Sequence, residues 1–406
     1  MLNHRIIFLG LLYNKAEEQI LLNETRTGLQ GAANTFQWAL IDGLRSALNA
    51  DFDILSSLPI GTFPQYYIKA IIQGSQEDKA STYKQIGFVN LPIIKQKIRE
   101  KRVIDEITKL LKKNNGNCST VICYSLYAPY INALYKLKKI YPNNLKVCLI
   151  VPDLPGQFGI APKQNIKKIA YYYSGNKTLK ECVIFDYYVL LTEQMKYALD
   201  IKNKPCVIVE GIASSVPEQF NALKKNSTEK TILFSGTINR DFGIERLLKA
   251  FDYLEGSEYR LIICGSGDME TEVRERAKQD GRITYLGFVK KDEVLLLQRQ
   301  STVLVNPRIE SENYVKYSFP SKTIEYLLSG TPVVMDKLSG VPDEYYDYIM
   351  NPDDKSSKAL ADKLRYICEL SEEERTLLGM KGRSFILENK SSKKQAQKII
   401  DMILAD

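Results

Sequence analysis

The stretch YSFPSKTIEYLLSGTPVV, residues 317 to 334, combines residue types that can bind a nucleotide. A helix is predicted to begin near Pro320 to Lys322 and to end at Gly330, before a buried strand. The free N–H groups of its first turn and the charge of Lys322 suit a phosphate group. About one turn further on, the carboxylate of Glu325 has two oxygens that can accept hydrogen bonds from neighbouring hydroxyls of a ribose. The alternative is that Glu325 only forms a salt bridge within the helix.

Two glycine-containing turns of the second half follow predicted strands. In FSGTINRDFGIERLLKAF, Gly236 leaves a strand and Gly243 precedes a helix. Exposed backbone N–H groups of this loop, together with the guanidinium of Arg240, predict a phosphate site. In CGSGDMETE, Gly265 and Gly267 separate a strand from a helix, but a glutamate replaces the third glycine of the dinucleotide fingerprint. An ordinary strand-to-helix turn is therefore expected there.

The first half offers few side chains for catalysis. Gly28 and Gly31 lie in a long loop after the first strand, just before a helix, where they let a ligand approach the backbone closely. The DFD pattern at residues 51 to 53 precedes its strand, at the end away from the expected ligand site, so metal binding is not predicted. His4 is the single histidine, which argues against a histidine-dependent triad or metal centre. The seven cysteines include no C-x-x-C pair, so reduced thiols are expected.

Strands alternate with helical stretches along the chain, which is the pattern of parallel sheets covered on both faces. The predicted strands are RIIFLGLL, FDILSS, STVICYSL, LKVCLIV, YYVLLT and CVIVEGI, followed by KTILFSG, YRLIICG, ITYLGF, STVLVNP and TPVVM. The apolar run from Ile6 to Leu12 is too short to span a membrane and predicts a strand rather than a signal peptide. Residues 213 to 230 lose hydrophobic periodicity and predict a linker. The sequence therefore predicts an α/β protein with two doubly wound domains facing across a cleft.

Positive charge is concentrated in the first half. Residues 1 to 212 contain 27 Lys and Arg against 17 Asp and Glu, a net charge of +10, whereas residues 213 to 406 carry a net charge of −2. Three clusters, at 95 to 102, 136 to 146 and 166 to 173, supply much of this charge. They predict contact with an anionic membrane or substrate, with solvated helix faces as the alternative. Nucleic acid is not expected, because no recognised binding module accompanies the charge.

Five motifs of the second half follow one another in a fixed order. They are GT…R…G, ICGSG, LGFV, SFPSKTIEYLLSGTPVV and KGRSFILENKSSKKQAQKIIDMIL. Together they resemble the family-4 glycosyltransferases of GT-B fold, specifically over residues 231 to 390 and more weakly over the first 212. The resemblance implies an acceptor domain at 1 to 212 and a nucleotide-sugar domain at 213 to 387. It also implies a last helix, at about 388 to 406, that completes the first domain.

The resemblance assigns donor binding to residues of the second half. Glu325 corresponds to the second glutamate of the family's E-x7-E motif, which binds the ribose, and Tyr317 replaces the first. The other donor-binding positions that the resemblance implies are Gly236, Gly287, Phe288, Val289, Ser318, Phe319, Pro320, Ser321 and Lys322. Positions 287 to 289 would contact the base through their backbone, and positions 318 to 322 would face the phosphates and the sugar.

The resemblance also implies which residues act on the reacting bond. Thr237 and Phe242 replace an arginine and a lysine of the family motif, so Arg240 and Lys322 remain to neutralise the pyrophosphate. In LIVPDLP, Asp153 corresponds to a residue that faces the donor sugar, and it would contact the transferred sugar or the acceptor. A turn or helix-cap role is the alternative for this aspartate. Gly28 and Gly31 would belong to the acceptor loop.

The implied activity is retaining transfer of a hexosyl residue from a nucleotide-sugar, with a UDP-sugar favoured and GDP-mannose next. Neither a metal nor another cofactor is expected. The implied acceptor is a glycan or lipid-linked oligosaccharide in cell-surface polysaccharide synthesis, and the basic domain would contact the cytoplasmic face of the membrane. The altered motif positions leave an alternative, a catalytically silent GT-B protein that binds a nucleotide or partner. A GT-B sugar-nucleotide 2-epimerase is disfavoured, because the segments predicted to form the cleft lack histidine.

Overall fold

The chain divides into two compact units, one of residues 1–212 with 392–406 and one of residues 213–391. The computed structural model describes residues 4–75, 82–154, 180–201, 203–213, 229–310 and 315–405. The basic cluster at 166 to 173 and most of the predicted linker lie outside these described residues.

The strands agree closely with the apolar runs of the sequence. They are β1 (Arg5–Gly10), β2 (Asp53–Ser56), β3 (Ile71–Ile72), β4 (Tyr83–Gln85), β5 (Phe88–Val89), β6 (Ser119–Tyr124), β7 (Leu145–Val151), β8 (Tyr187–Leu190), β9 (Cys206–Ile208), β10 (Lys230–Ser235), β11 (Tyr259–Cys264), β12 (Ile283–Gly287), β13 (Val303–Asn306) and β14 (Val333–Met335). Of these, β3, β4 and β5 were not predicted, because two or three residues carry too little hydrophobic periodicity to be recognised.

The helices lie between the strands and at the end of the chain. They are α1 (Glu18–Glu24), α2 (Gly31–Leu48), α3 (Ile94–Lys113), α4 (Ala128–Ile140), α5 (Met195–Ala198), α6 (Ile244–Asp252), α7 (Glu270–Gln279), α8 (Lys291–Gln300), α9 (Lys322–Ser329), α10 (Ser357–Glu369), α11 (Glu372–Asn389) and α12 (Ser392–Leu404). In the described part of the chain, none of them is both long enough and apolar enough to cross a membrane.

The amino-terminal unit is built on a seven-stranded parallel sheet with the strand order β4-β2-β1-β6-β7-β8-β9. Helices α2 and α12 pack together on one face of this sheet. A β-carbon on Gly43 of α2 would lie 2.1 Å from the carbonyl oxygen of Ser392, so only glycine permits this approach. The returning helix starts at Ser392 rather than near residue 388, because α11 continues to Asn389 within the other unit.

The segment after β1 differs from the long loop that was predicted. It contains a 3-10 turn at Lys15–Glu17 and the helix α1 before Gly28 is reached. Alanine, glutamate, glutamine and leucine in AEEQILLNE are good helix formers. Leu21 anchors the helix, because its side chain is buried in a small apolar cluster beside the main core.

The carboxy-terminal unit has a five-stranded sheet in the order β12-β11-β10-β13-β14, and its strand pairs are parallel. Alternate residues of a strand face opposite sides, so Ile232 and Phe234 pack with α6 and α10, whereas Leu233 packs with α9 and α11. Strand order reverses beside β10 here, and beside β1 in the other unit. These are the positions where doubly wound sheets bind ligands, at the carboxyl ends of the strands.

Candidate active site

The helix α9 places the nucleotide-binding stretch at the carboxyl edge of the second sheet. It begins at Lys322 and ends at Gly330, whose φ of 77° is left-handed, so the helix predicted for this segment is present. Ser321 precedes it and makes no capping hydrogen bond with its side chain. The side chain of Ser321 therefore does not cap α9. In the first turn of the helix, the N–H of Thr323 donates to the carbonyl of Pro320 at 2.8 Å.

Glu325 is held by two donors that converge on a single oxygen. Nζ of Lys322 and Nε2 of Gln298 both lie 2.6 Å from Oε1 of Glu325. Within the described residues Oε2 accepts no hydrogen bond, and the side chain keeps 25% of its surface exposed. The predicted salt bridge within the helix is thus present, and it leaves the second oxygen available to accept from a ligand hydroxyl.

Gln298 is a functional candidate that the sequence analysis missed. It lies in the last turn of α8, is fully buried, and also donates to Oγ of Ser235 at 3.2 Å. Its Oε1 is buried and has no hydrogen bond within the described part of the chain. A signal existed, because this glutamine follows the run of leucines in VLLLQ and a polar side chain there needs a partner.

Tyr326 connects the same helix to the end of β10. Its hydroxyl donates to the carbonyl of Ser235 at 3.0 Å and accepts from the backbone N–H of Ser235 at 2.8 Å. Burial raises the pKa of this hydroxyl, so the group stays protonated and continues to donate. These bonds fix α9, and with it Glu325, relative to the sheet.

The loop after β10 differs from the open phosphate cradle that was predicted. Its backbone N–H groups donate within the protein, from Gly236 to Cys264 at 3.0 Å, from Ile238 to Ser266 at 3.0 Å and from Arg240 to Asp268 at 3.2 Å. These three N–H groups therefore cannot bind a phosphate unless they first exchange partners. The reason is that the β10 and β11 loops pack directly on each other.

Gly265 and Gly267 make that packing possible. A β-carbon on Gly265 would lie 1.8 Å from the carbonyl oxygen of Gly236, and one on Gly267 would lie 2.2 Å from that of Ile238. The φ of Gly265 is also positive, at 135°. The two glycines are therefore explained by close contact between two turns, in agreement with the expected strand-to-helix turn.

Arg240 is exposed and already paired with acidic side chains. Its guanidinium lies 2.8 Å from a carboxylate oxygen of Glu245 and 3.5 Å from one of Glu272. Of the two altered motif positions, Thr237 is exposed, and the ring of Phe242 lies 5.1 Å from the guanidinium carbon of Arg308. Lys322 is thus the cation that the structure places in contact with Glu325, while Arg240 stands in a separate exposed ion-pair group.

The end of β12 presents open backbone and an exposed aromatic ring. Gly287 has a φ of 67°, and a β-carbon added there would meet no atom within 4 Å. Phe288 keeps 84% of its surface exposed, whereas Val289 packs partly against the core. Open backbone and an exposed ring thus lie at the position where the resemblance implies contact with the base, and base binding there stays a prediction.

In the amino-terminal unit, the predicted residues follow the carboxyl ends of strands or begin a helix. Asp153 follows β7 by two residues and is exposed. Burial, and after it the charge of Asp153, raises the pKa of the Tyr124 hydroxyl at the end of β6, so the carboxylate lies near that strand end. Gly31 is the first residue of α2, and Gly28 precedes it in the loop. A β-carbon on either glycine would meet no atom within 4 Å.

The DFD pattern has a structural explanation. Asp53 begins β2, and its Oδ2 accepts a hydrogen bond of 2.7 Å from Nε of Arg5 on the neighbouring strand β1. Across the described ranges, no group of three His, Cys, Asp or Glu side chains is arranged to hold a metal ion.

Comparison with known proteins identifies the class of the carboxy-terminal unit. Residues 215–403, just under half of the chain, match the family described as glycosyl transferases group 1. No curated protein sequence matches the chain significantly.

Solved structures with the same fold cover nearly the whole chain. Sucrose-phosphate synthase from Thermosynechococcus elongatus is 16% identical with a TM-score of 0.62, and the match covers 98% of each chain. HepE of Anabaena, solved in complex with UDP, is 12% identical with a TM-score of 0.59, over 99% of this chain and 100% of that one. A UDP-forming trehalose-phosphate synthase from Burkholderia vietnamiensis is 11% identical with a TM-score of 0.66, over 99% of each. The predicted GT-B fold is thereby confirmed, and the family match together with this fold indicates a glycosyltransferase.

Proposed function

We propose that the protein transfers a hexosyl residue from a UDP-sugar, with retention of configuration, to a glycan or lipid-linked oligosaccharide in cell-surface polysaccharide synthesis. The observation that carries this proposal is the Glu325 carboxylate, held at Oε1 by Lys322 and Gln298 with Oε2 left to accept from a ribose hydroxyl. A carboxylate beside a lysine, at the start of a helix, suits a sugar diol joined to a phosphate. This combination is what a nucleoside diphosphate presents.

A UDP-sugar is the favoured donor, and GDP-mannose is the next candidate. Among the similar structures, HepE was solved with UDP, and the Burkholderia synthase is described as UDP-forming. The open backbone at Gly287 and the exposed ring of Phe288 support base binding at the end of β12. Backbone groups can hydrogen-bond a base edge, and an aromatic ring can stack on its face.

The chemical step needs stabilisation of negative charge on the leaving diphosphate. As the bond between the anomeric carbon and the diphosphate oxygen breaks, charge builds on the β-phosphate and the sugar gains oxocarbenium character. Lys322 and the first turn of α9 would meet that charge, and Arg240 would assist after releasing its acidic partners. We propose that neither a metal nor another cofactor takes part.

The proton of the acceptor hydroxyl must also find a base. We propose that the departing diphosphate oxygen takes it as the new glycosidic bond forms on the same face, which gives retention. Asp153 would contact the transferred sugar or the acceptor, and the open backbone at Gly28 and Gly31 would border the acceptor.

We propose that the reaction with the acceptor takes place at the cytoplasmic face of the membrane, where the basic amino-terminal unit contacts the lipid. Ile93 and Ile94, before and at the start of α3, expose 81% and 47% of their surfaces. Lys101 and Arg102 follow on the same helix and are exposed. Exposed isoleucines beside basic side chains suit an anionic lipid surface, because apolar burial and electrostatic attraction then add.

A transfer assay tests the proposed function. The protein is incubated with UDP-sugars and, separately, with GDP-mannose, and release of the nucleoside diphosphate is followed with and without glycan acceptors. NMR of the product then gives its anomeric configuration. Release from a UDP-sugar with a retained configuration is expected. An inverted product would overturn retention, and UDP binding without any release would favour the catalytically silent alternative.

A further inference from the structure

Two cations on helix α3 are buried, and none of the carboxylates that the structure describes pairs with them. Lys95 and Arg99 stand one turn apart and expose only 6% and 2% of their surfaces. The ammonium of Lys95 donates to the carbonyl of Ile60, and the guanidinium of Arg99 donates to the carbonyl of Leu58 and to the hydroxyl of Tyr127. Within the described residues, neither cation forms an ion pair.

Such a pair is costly for a folded protein. Burying a charge without an opposite charge carries a large desolvation penalty, and two like charges on adjacent turns repel each other. The ring of Phe88 lies 3.8 Å from the guanidinium carbon of Arg99 and 5.8 Å from Nζ of Lys95. Cation–π contact offsets part of the penalty without neutralising either charge. An anion supplied from outside the chain would neutralise both.

The cations lie where the first sheet is built to receive a ligand. Leu58 and Ile60 follow the end of β2, and Tyr127 follows the end of β6. The hydroxyl of Tyr130 donates at 2.8 Å to the carbonyl of Gly10, at the end of β1. Burial raises the pKa of this hydroxyl, and the charge of Arg99, which lies near it, offsets part of that increase. The strand order reverses between β1 and β6, and doubly wound sheets bind ligands at this position.

Unused polar groups stand at the same edge. Nε of Arg99 and Oγ of Ser57 are both buried, and neither makes a hydrogen bond to any residue that the structure describes. Ser57 directly follows β2 and is fully buried. Ser125, which directly follows β6, has a φ of 72°, a conformation that few non-glycine residues adopt. Arg99 and Ser57 therefore each have a buried polar atom that could still donate a hydrogen bond to a ligand.

We propose that Lys95 and Arg99 form the subsite for a phosphate group on the acceptor. The phosphate oxygens would replace the carbonyls of Leu58 and Ile60 as partners of the two cations, and Arg99 can bind phosphate through two N–H groups at once. Tyr127 is only half-buried and its hydroxyl donates to the exposed Gln96, so it marks the solvent side of the subsite. That the bound molecule is the acceptor rests on the proposed function, whereas the anion site does not.

Protonation of Lys95 offers a second way to detect phosphate binding. Burial, and after it the charge of Arg99, lowers the pKa of Lys95 to about 7. A bound phosphate favours the protonated lysine and raises this pKa. Binding just above neutral pH should therefore take up a proton, and the heat of binding should depend on the ionisation enthalpy of the buffer.

Titration calorimetry tests the subsite with defined probes. Excess UDP is present throughout to fill the donor site, and inorganic phosphate, pyrophosphate and glucose 6-phosphate are titrated, with glucose as the uncharged control. Lys95→Met is compared with Lys97→Met, which removes the same charge from an exposed position on the same helix. We expect Lys95→Met to weaken binding of the phosphate compounds at least about tenfold, and Lys97→Met to change it less than about twofold.

The outcomes separate this proposal from the proposed function. Equal losses in the two variants, or no loss in Lys95→Met, would overturn the subsite. UDP affinity should be the same in Lys95→Met and wild type, so failure of UDP to bind counts against the proposed function alone. Phosphatidylcholine vesicles with and without polyprenyl phosphate distinguish the source of the phosphate. Binding to glucose 6-phosphate alone indicates a soluble sugar phosphate, and binding to the loaded vesicles alone indicates a lipid-linked acceptor.

Discussion

The side-chain amide of Gln298 lies 2.6 Å from Oε1 of Glu325, the same oxygen that Lys322 reaches from the first turn of α9. The two donors approach from different helices, α8 and α9. They hold Oε1 in place, and among the described residues Oε2 accepts no hydrogen bond and so remains for a ligand. A side chain held in this way loses little rotational freedom when it binds a ribose.

Replacing Gln298 should weaken nucleotide binding without unfolding the protein. In Gln298→Met the side chain keeps a similar length, and the buried Oε1 that has no hydrogen bond is also removed. Loss of one hydrogen bond to a charged group typically costs about 1.5 kcal/mol or more, so we expect UDP affinity to fall roughly tenfold. Calorimetry gives the affinity, and thermal unfolding should show only a small change. Unchanged affinity would show that Gln298 does not position Glu325.

Lys322→Ala should affect turnover more than binding. Removing one preorganised donor from a developing charge costs on the order of 3 kcal/mol, which corresponds to roughly a hundredfold lower kcat. Arg240→Ala provides the comparison, because Arg240 is exposed and already shares its charge with Glu245 and Glu272. We expect the loss in Arg240→Ala to be smaller. Steady-state kinetics with the donor found in the transfer assay give both values, and normal kcat in Lys322→Ala would exclude its proposed role.

Gly31→Ala should raise the KM for the acceptor while leaving the fold intact. The added methyl group meets no protein atom within 4 Å, and alanine is the better helix former by about 1 kcal/mol in a helix interior. Gly281→Ala is the matched control, since its β-carbon is equally free and the residue lies in the other unit. Both variants should unfold at or near the wild-type temperature. Identical acceptor KM values in the two variants would remove Gly31 from the acceptor site.

Lys95 should make stability depend on pH in a defined window. Its pKa is lowered to about 7 in the folded protein and returns to about 10.4 on unfolding, so the unfolded chain binds more protons between these values. The cost of burying the charge is therefore greatest below pH 7 and is relieved as the pH rises. We expect Lys95→Met to be more stable than wild type at about pH 6, and the difference to shrink by about 2 kcal/mol towards about pH 9.

Urea unfolding of both proteins at the two pH values measures this difference. A constant gap between Lys95→Met and wild type would show that the lysine keeps its ordinary pKa. Lys97→Met again provides the control, because Lys97 is an exposed lysine on the same helix.

The strands and the helix α9 could be predicted because their signals are local. Each predicted apolar run contains a strand, and Gly330 stops the helix in the left-handed conformation that glycine favours. The hydrogen bond from Gln298 to Glu325 could not be predicted, because it joins residues 27 positions apart through the packing of two helices. Nor could the loop after β10, whose N–H groups are used by the neighbouring β11 loop rather than by a ligand.

The burial of Lys95 and Arg99 was missed for a different reason. The composition of KQKIREKR, residues 95 to 102, predicts contact with an anionic membrane or substrate, or a solvated helix face, and gives no sign that two of its cations are buried. Lys95, Arg99, Val103, Ile107 and Leu111 nevertheless recur every four residues and form the buried stripe of α3. Residues four apart share one face of a helix, so the spacing of these positions predicts one buried stripe. The charges of Lys95 and Arg99 instead favour exposure, and they hid this pattern.

The most direct test of the account is calorimetric binding of UDP and GDP to wild type and to Glu325→Ala. Glu293→Ala on α8 is the control, because it removes an exposed carboxylate from the neighbouring helix. We expect UDP to bind wild type, Glu325→Ala to lose at least about tenfold in affinity for UDP, and Glu293→Ala to lose little. Equal UDP affinity in wild type and Glu325→Ala, or no binding of either nucleotide to wild type, would contradict it.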